Sequence, residues 1–400
     1  MLNPSAKLRA CPERSEGINS VKHLFFCLGD GRFSGIPPQN DKSPDVLTNS
    51  AIVSKFFGRT AALSLIISAL ALPQAETSAR IVTDSAGRKV AVPEQVERVY
   101  PAGPPASIFL YVLAPEKMLG WPRAPTPEEG ALLAPAYRSL PDLGQLGDTA
   151  NLEVVLETRP ELVFDYGTIA PTYISLAERT QRQTGLPYLL IDGRFDNIVR
   201  SIRLMGAILG VEDRAEVLAG YAQRTFESLD KTLARTPADE RPRVYLARGP
   251  DGLETGVRGS INTEIIERVG AINVAAAPGQ QGLSRVSLEQ VLRWNTDTIL
   301  TLDERFYNTV WAHPVWSKLT AVQNKRVYLA PSLPFGWIDQ PPSINRLIGI
   351  TWLTRLFYPS AHQDRDMRDL VREFYRLFYQ VKLSDMQLAE LLKNAGPAAY

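Results

Sequence analysis

Two α/β lobes joined by one long α-helix with little hinge freedom, and a ligand cleft between the lobes, are what three features of the sequence predict. Short apolar runs alternate with helix-like segments in two separate stretches of the chain, the pattern of parallel strands covered on both faces. Between those stretches lies a sustained helical region. The length of 400 residues exceeds one ordinary hydrophobic core and suggests a separate core for each lobe.

Residues 1–52 are rich in Pro, Gly, Ser and Asn and show no sustained periodicity. They read either as a disordered extension or as residues upstream of a true start near Val53. Residues 53–79 read as a signal peptide. Lys55 and Arg59 precede an apolar run over 61–72, which Pro73 and the small residues Ala75 and Ala79 follow. The run is short of the roughly 20 apolar residues that a spanning helix needs. A mature protein beginning between Glu76 and Arg80, exported to the periplasm, is therefore expected. Both cysteines, Cys11 and Cys27, precede that point, so the mature chain would hold no disulfide and no lipid-accepting thiol.

The first lobe is assigned to residues 80–195. The segment RIVTDSAGRKVAVP (80–93) reads as a hairpin around a Ser-Ala-Gly turn. Strands are expected at 96–100, 118–121, 162–165 and 188–192, each followed by helix-like sequence. Residues 196–240 form the linking helix. Ile198, Ile202, Met205 and Leu209 make one apolar stripe, and Leu218, Ala222, Phe226, Leu229 and Leu233 continue it. Gly210 is a potential break, and the polar segment TPADERP (236–242) ends the helix. The second lobe, 241–400, repeats the pattern with strands at 243–247, 298–302 and 326–330 and helices at 263–269 and 288–294. Terminal helices follow, with Met367, Leu370, Val371, Phe374, Leu377 and Phe378 on one core-facing stripe.

The 44 basic and 43 acidic residues nearly cancel, which removes the electrostatic footprint of a nucleic-acid binder. Downstream of the signal segment the only histidines are His313 and His362, neither with the His or Cys neighbours of a zinc or manganese site, so no metal site and no cofactor are expected. No nucleophile elbow, P-loop or dinucleotide-binding glycine fingerprint is present. The mechanism expected is binding without catalysis.

In such a fold the ligand sits where the carboxyl ends of the strands face each other. Tyr100, Trp121 and Tyr166 fall at first-lobe strand ends, where a tyrosine can stack on a ligand and offer its hydroxyl. Arg248 and Arg258 lie in the glycine-rich segment ARGPDGLETGVRGS, and their guanidinium forks would suit an anionic ligand. Phe335 and Trp337 in LPFGWIDQPP complete the expected substrate contacts, because no core periodicity demands large aromatics there. Asp339 either orients a polar group of the ligand or caps the helix that follows. Trp294, Trp311, Trp316 and Trp352 read as core residues.

Several stretches taken in order resemble the periplasmic binding proteins of the ferric-siderophore, haem and cobalamin ABC importers, over nearly all of residues 80–360. TDSAGRKVAVPEQVERVY looks like that family's opening hairpin and first strand, and LGDTANLEVVLETRPELVFDYG like its signature helix and strand before the cleft. LETGVRGSINTEIIERVGAINVA, VSLEQVLRWNTDTILT and NKRVYLAPSLPFGW are similar to its second-lobe segments. The resemblance implies two Rossmann-like lobes bridged by a rigid helix, in a monomeric, non-enzymatic receptor that delivers an iron chelate (siderophore or haem) or a corrinoid to a permease and its ATPase, the ligand itself carrying iron or cobalt. It also implies one acidic docking residue per lobe. Glu289 of SLEQVL matches in the second lobe, and Glu178 is the nearest acidic residue in the first-lobe segment GTIAPTYISLAER. The alternatives from other classes are an exported enzyme acting on a small anionic ligand in the same cleft and a receptor-coupled ligand sensor.

Overall fold

The computed structural model of the protein describes residues 78–147, 152–275, 282–361 and 365–397. The expected extension, all but the last two residues of the expected signal peptide, both cysteines and His362 lie outside the described residues. Strands β1 (Ala79–Thr83) and β2 (Lys89–Pro93) form the expected antiparallel hairpin. Its turn is held by the Asp84 carboxylate, which accepts from the backbone N–H of Ala86 and Arg88 and pairs with the Arg88 guanidinium at 2.6 Å.

Two all-parallel sheets follow. The first has the order β3-β4-β5, from β3 (Val99–Pro101), β4 (Leu162–Gly167) and β5 (Tyr188–Asp192). The second has the order β11-β10-β6-β8, from β6 (Arg243–Ala247), β8 (Ile272–Asn273), β10 (Thr298–Thr301) and β11 (Val327–Leu329). β7 (Glu254–Gly256) and β9 (Leu283–Arg285) make a small antiparallel ribbon. The run at 118–121 does not become a strand: only isolated bridges join Val99 to Met118 and Trp121 to Asp142.

Because successive strand residues point to opposite faces, each sheet contributes to two cores. On β4 and β5, Leu162, Phe164, Tyr166, Leu189 and Ile191 face one cluster, while Val163, Tyr188 and Leu190 face another. On β6 and β10, Val244, Leu246 and Leu300 join that same first cluster, while Tyr245, Ala247 and Ile299 face a third. The outer faces thus have private cores and the inner faces share one, which corrects the expectation of two separate cores. Chain segments from both sides of residue 241 build the shared cluster, including Phe374, Tyr375, Phe378 and Tyr379. The Tyr111 hydroxyl in the first lobe donates to the Tyr379 carbonyl at 2.6 Å, so the terminal helices brace both lobes.

The linking region also differs from one straight helix. It is a pair, Ile198–Leu209 and Glu212–Leu233. Gly210 stands between them with φ of 66°, a left-handed conformation that suits glycine at a helix end. The two helices fold back on each other: Arg203 pairs with Glu216 at 2.7 Å, and a Cβ on Gly206 would lie 2.3 Å from that of Ala215. The apolar periodicity persisted across the break because both helices bury a stripe in the same shared core. Among the described residues, no helix is long and apolar enough to cross a membrane.

One buried side chain ties the lobes together. Arg346, fully buried, donates through Nη2 to the Gly193 carbonyl of the first lobe at 2.7 Å. Its Nη1 donates to the Ile261 carbonyl and the Glu264 carboxylate of the second lobe. Its guanidinium lies 4.2 Å from the Phe195 ring centroid, and the Phe195 N–H donates to Glu264. A buried charge is tolerated only with such complete pairing.

Candidate functional site

β3 ends at Pro101, and Ala102 and Gly103 lead into the Pro104–Leu113 helix, while β4 runs out through Thr168 and Ile169 into the Pro171–Thr184 helix. Parallel strands place all these carboxyl ends on one rim. Opposite that rim stand Ile261, Asn262 and Pro342 of the second lobe, and the space between is a cavity of about 310 Å³. The linking pair, the shared core and Arg346 fix its two walls.

Tyr166 is the one expected contact that lines this cavity. Its ring stacks on Phe109, centroids 4.5 Å apart. It has that room because residue 193 is glycine: a Cβ there would come within 2.8 Å of the ring. The hydroxyl is buried and has no hydrogen-bond partner among the described residues, and burial pushes its pKa well above the ordinary tyrosine value. A buried, unsatisfied hydroxyl is costly, and a ligand acceptor would relieve it.

Asp165 points to the other face of β4 and also lines the cavity. Its carboxylate accepts from the Tyr166 N–H at 2.8 Å. Enclosure pushes the carboxyl up to about 6, against the lowering effect of that hydrogen bond. From the second lobe, the Asn262 amide donates to Asp339 at 2.8 Å and accepts from the Ser260 hydroxyl. Asp339 is fully buried, 2.9 Å from Arg248, and burial raises its carboxyl above the ordinary range despite that neighbour. No basic side chain is among the described residues that line the cavity.

The other expected contacts fall elsewhere. Tyr100 is buried beneath the rim, its hydroxyl donating to the Leu143 carbonyl at 2.7 Å, and burial pushes it up to about 12. Trp121 is likewise buried, its ring tilted against Tyr111. Arg248 stands behind the cavity wall, holding Asp339 and thereby Asn262, and Arg258 is exposed without lining the cavity. Their glycine-rich segment is drawn back by β7, since Arg248 and Glu254 exchange backbone hydrogen bonds.

Phe335 and Trp337 belong to the core, correcting the reading of their loop as cleft lining. Trp337 is 0% exposed, meets Trp352 edge-on at 6.3 Å and donates its indole N–H to Tyr375. Phe335 packs between Trp121 and Tyr379. Asp339 caps no helix; Asn345 precedes the Arg346–Phe357 helix. Trp311, expected in the core, is 36% exposed. Among the described residues no group of three or more His, Cys, Asp or Glu could hold a metal ion. Sequence reasoning missed Asp165 and Asn262. The available signal for Asp165 was a carboxylate inside the apolar strand LVFDYG, which only a rim position or a partner tolerates.

The expected docking residues lie on the surface of different lobes. Glu178 is on the Pro171–Thr184 helix, 3.8 Å from Arg182. Glu289 is in the first turn of the Leu288–Trp294 helix, where hydrogen bonds from its own backbone N–H and Ser287 hold its carboxyl below the ordinary value.

Comparison with known proteins agrees with this architecture. A family described as "Periplasmic binding protein" matches residues 113–333. The molybdate-binding protein MolA of Haemophilus influenzae is 29% identical over 326 residues, covering 75% of this chain and 91% of that protein. The solved structure of an ABC transporter solute binding protein from Sulfurospirillum deleyianum is 30% identical with a TM-score of 0.72, covering 78% of this chain and 99% of that one. The structure of MolA bound to molybdate is 26% identical with a TM-score of 0.63, covering 76% and 99%. Proteins of this kind bind solutes for an ABC permease and its ATPase and are not enzymes. With the family match spanning more than half of its length, the chain belongs to the periplasmic binding proteins, the substrate-binding components of ABC transporters.

Proposed function

We propose that this chain is an exported, periplasmic receptor that captures a compact solute of oxyanion size in the cleft between its lobes and hands it to an importer. The carrying observation is the cavity itself, about 310 Å³ and walled by both lobes, with the Tyr166 hydroxyl, unpartnered among the described residues, in its lining. Ligand pockets commonly range over roughly 300–1,000 Å³, so this one sits at the small end. Haem, a corrinoid or a bulky siderophore would need a wider opening than the shared core and Arg346 favour. The similarity to a molybdate-binding protein points the same way. A second reading, a compact metal chelate bearing donor groups, is favoured by the Asp165 carboxyl and the lack of a basic residue among the described lining residues.

Calorimetric titration of the exported protein with molybdate, tungstate, a ferric siderophore, haem and cobalamin tests the proposal. Saturable 1:1 binding of an oxyanion, with none of the large chelates, is expected. Binding of haem or cobalamin with no oxyanion response would overturn it. Glu289 and Glu178 are proposed to dock the two lobes on the permease.

A further inference from the structure

We infer that Asp165 takes up a proton as an anion binds in the cleft, so that capture of an oxyanion consumes one proton from solvent. The inference rests on the oxyanion reading of the cavity. It begins from a mismatch: the described lining contains a carboxyl and no guanidinium or ammonium group. A dianion buried beside an ionised carboxylate would meet repulsion that no basic side chain among the described lining residues offsets.

The charged groups nearby are committed to each other. Around Tyr166, Arg346 is paired with Glu264, and Asp192 with Arg194 at 2.7 Å. Behind Asn262, Arg248 is held by Asp339. On the Asp165 side of β4, Tyr188 is influenced by the carboxyl, by Arg88, which pairs with Asp84, and by Tyr100, which Asp142 influences in turn. Tyr173, on the Pro171–Thr184 helix, also lines the cavity. No cation among these described groups is left to neutralise the site.

A proton on Asp165 removes the repulsion and turns an acceptor into a donor. The carboxylate takes a proton from water, and the resulting O–H donates to an oxygen of the anion beside the Tyr166 hydroxyl. Enclosure already favours this, since the carboxyl lies at about 6 against an ordinary 3.8. Its folded value exceeds its unfolded one, so the stability it contributes is present below 3.8 and is lost as pH rises through about 6.

The test is titration of molybdate and tungstate into the whole protein and its Asp165→Asn variant between pH 5.5 and 8, with thermal unfolding of both apo forms over pH 3.5 to 8. Wild-type affinity is expected to fall on the order of tenfold per pH unit above 6. The amide variant should bind with little pH dependence, and its apo stability should lose the component that declines toward pH 6. Oxyanion binding that is equally pH-independent in both proteins would overturn the role of Asp165 while leaving the oxyanion reading intact. Affinity that rises with pH and vanishes in the variant would overturn it too, by showing that the carboxylate receives a cationic or donor group. No binding of either anion at any pH would overturn both readings.

Discussion

Tyr166 and Trp337 were both expected to touch ligand, one at a strand end and the other in a Pro- and Gly-punctuated loop, and the fold gives them opposite surroundings. Tyr166 stays at the rim because β4 ends there and Gly193 makes room for its ring. Trp337 is drawn inward because two glycines let backbone segments meet. A Cβ on Gly336 would lie 1.9 Å from the Asp339 carbonyl, and one on Gly349 would lie 2.0 Å from that of Trp337. Pro and Gly punctuation correctly marked a loop, but burial of that loop depends on the distant Arg346–Phe357 helix, which no local pattern encodes. Tyr166→Phe is expected to weaken oxyanion binding by about tenfold or more, since a hydrogen bond to a charged group is worth about 1.5–3 kcal/mol. It should leave stability unchanged or slightly higher, because it deletes an unsatisfied hydroxyl. Trp337→Ala should instead cost about 3–5 kcal/mol of folding stability. Urea unfolding alongside calorimetry separates the two, and the opposite assignment of effects would exchange their roles.

Elements with strong local punctuation were legible to the residue. β6 follows Pro242 and matches its expected bounds, and the Leu288–Trp294 helix has Ser287 capping the Gln290 N–H and left-handed Asn295 closing it. Elements whose ends depend on partners were not. The run at 118–121 has strand composition, but beside β3 it forms only an isolated bridge at Met118, so it stays irregular. The linking region was read as helix correctly, yet its fold-back at Gly210 changes a single strut into a braced pair. The proposed docking belongs to this scale, since the two helices bearing Glu178 and Glu289 lie on different lobes and pack Ala177 and Val291 into separate outer clusters. Glu289→Ala should leave ligand affinity within about twofold while slowing permease-coupled uptake in vesicles, as rim charges act mainly on association. Unchanged uptake would remove Glu289 from the docking surface.

For the whole molecule, the alternation of strand residues has a consequence that composition alone could not reveal. Length and the repeated α/β pattern predicted two lobes, but how each sheet's second face is covered is a property of chain return. The terminal helices carry Phe374, Phe378 and Tyr379 back against Tyr111 and Tyr221. Sharing the inner core couples the lobes energetically, so chemical denaturation is expected to give one cooperative transition, coincident by tryptophan fluorescence and far-ultraviolet circular dichroism. Two separated transitions would mean that each lobe is stabilised by its private core alone. The same coupling favours a small closing motion over wide opening, which is why the cavity as it stands is a guide to ligand size.

The most direct measurement is a crystal structure of the exported protein soaked in molybdate at pH 6, read by anomalous scattering from the metal. One strong peak is expected between the lobes, with an oxyanion oxygen in hydrogen-bond contact with the Tyr166 hydroxyl and another facing Asp165. A well-diffracting crystal with no peak in the cleft, or with the anion held only on the outer surface, would contradict the account.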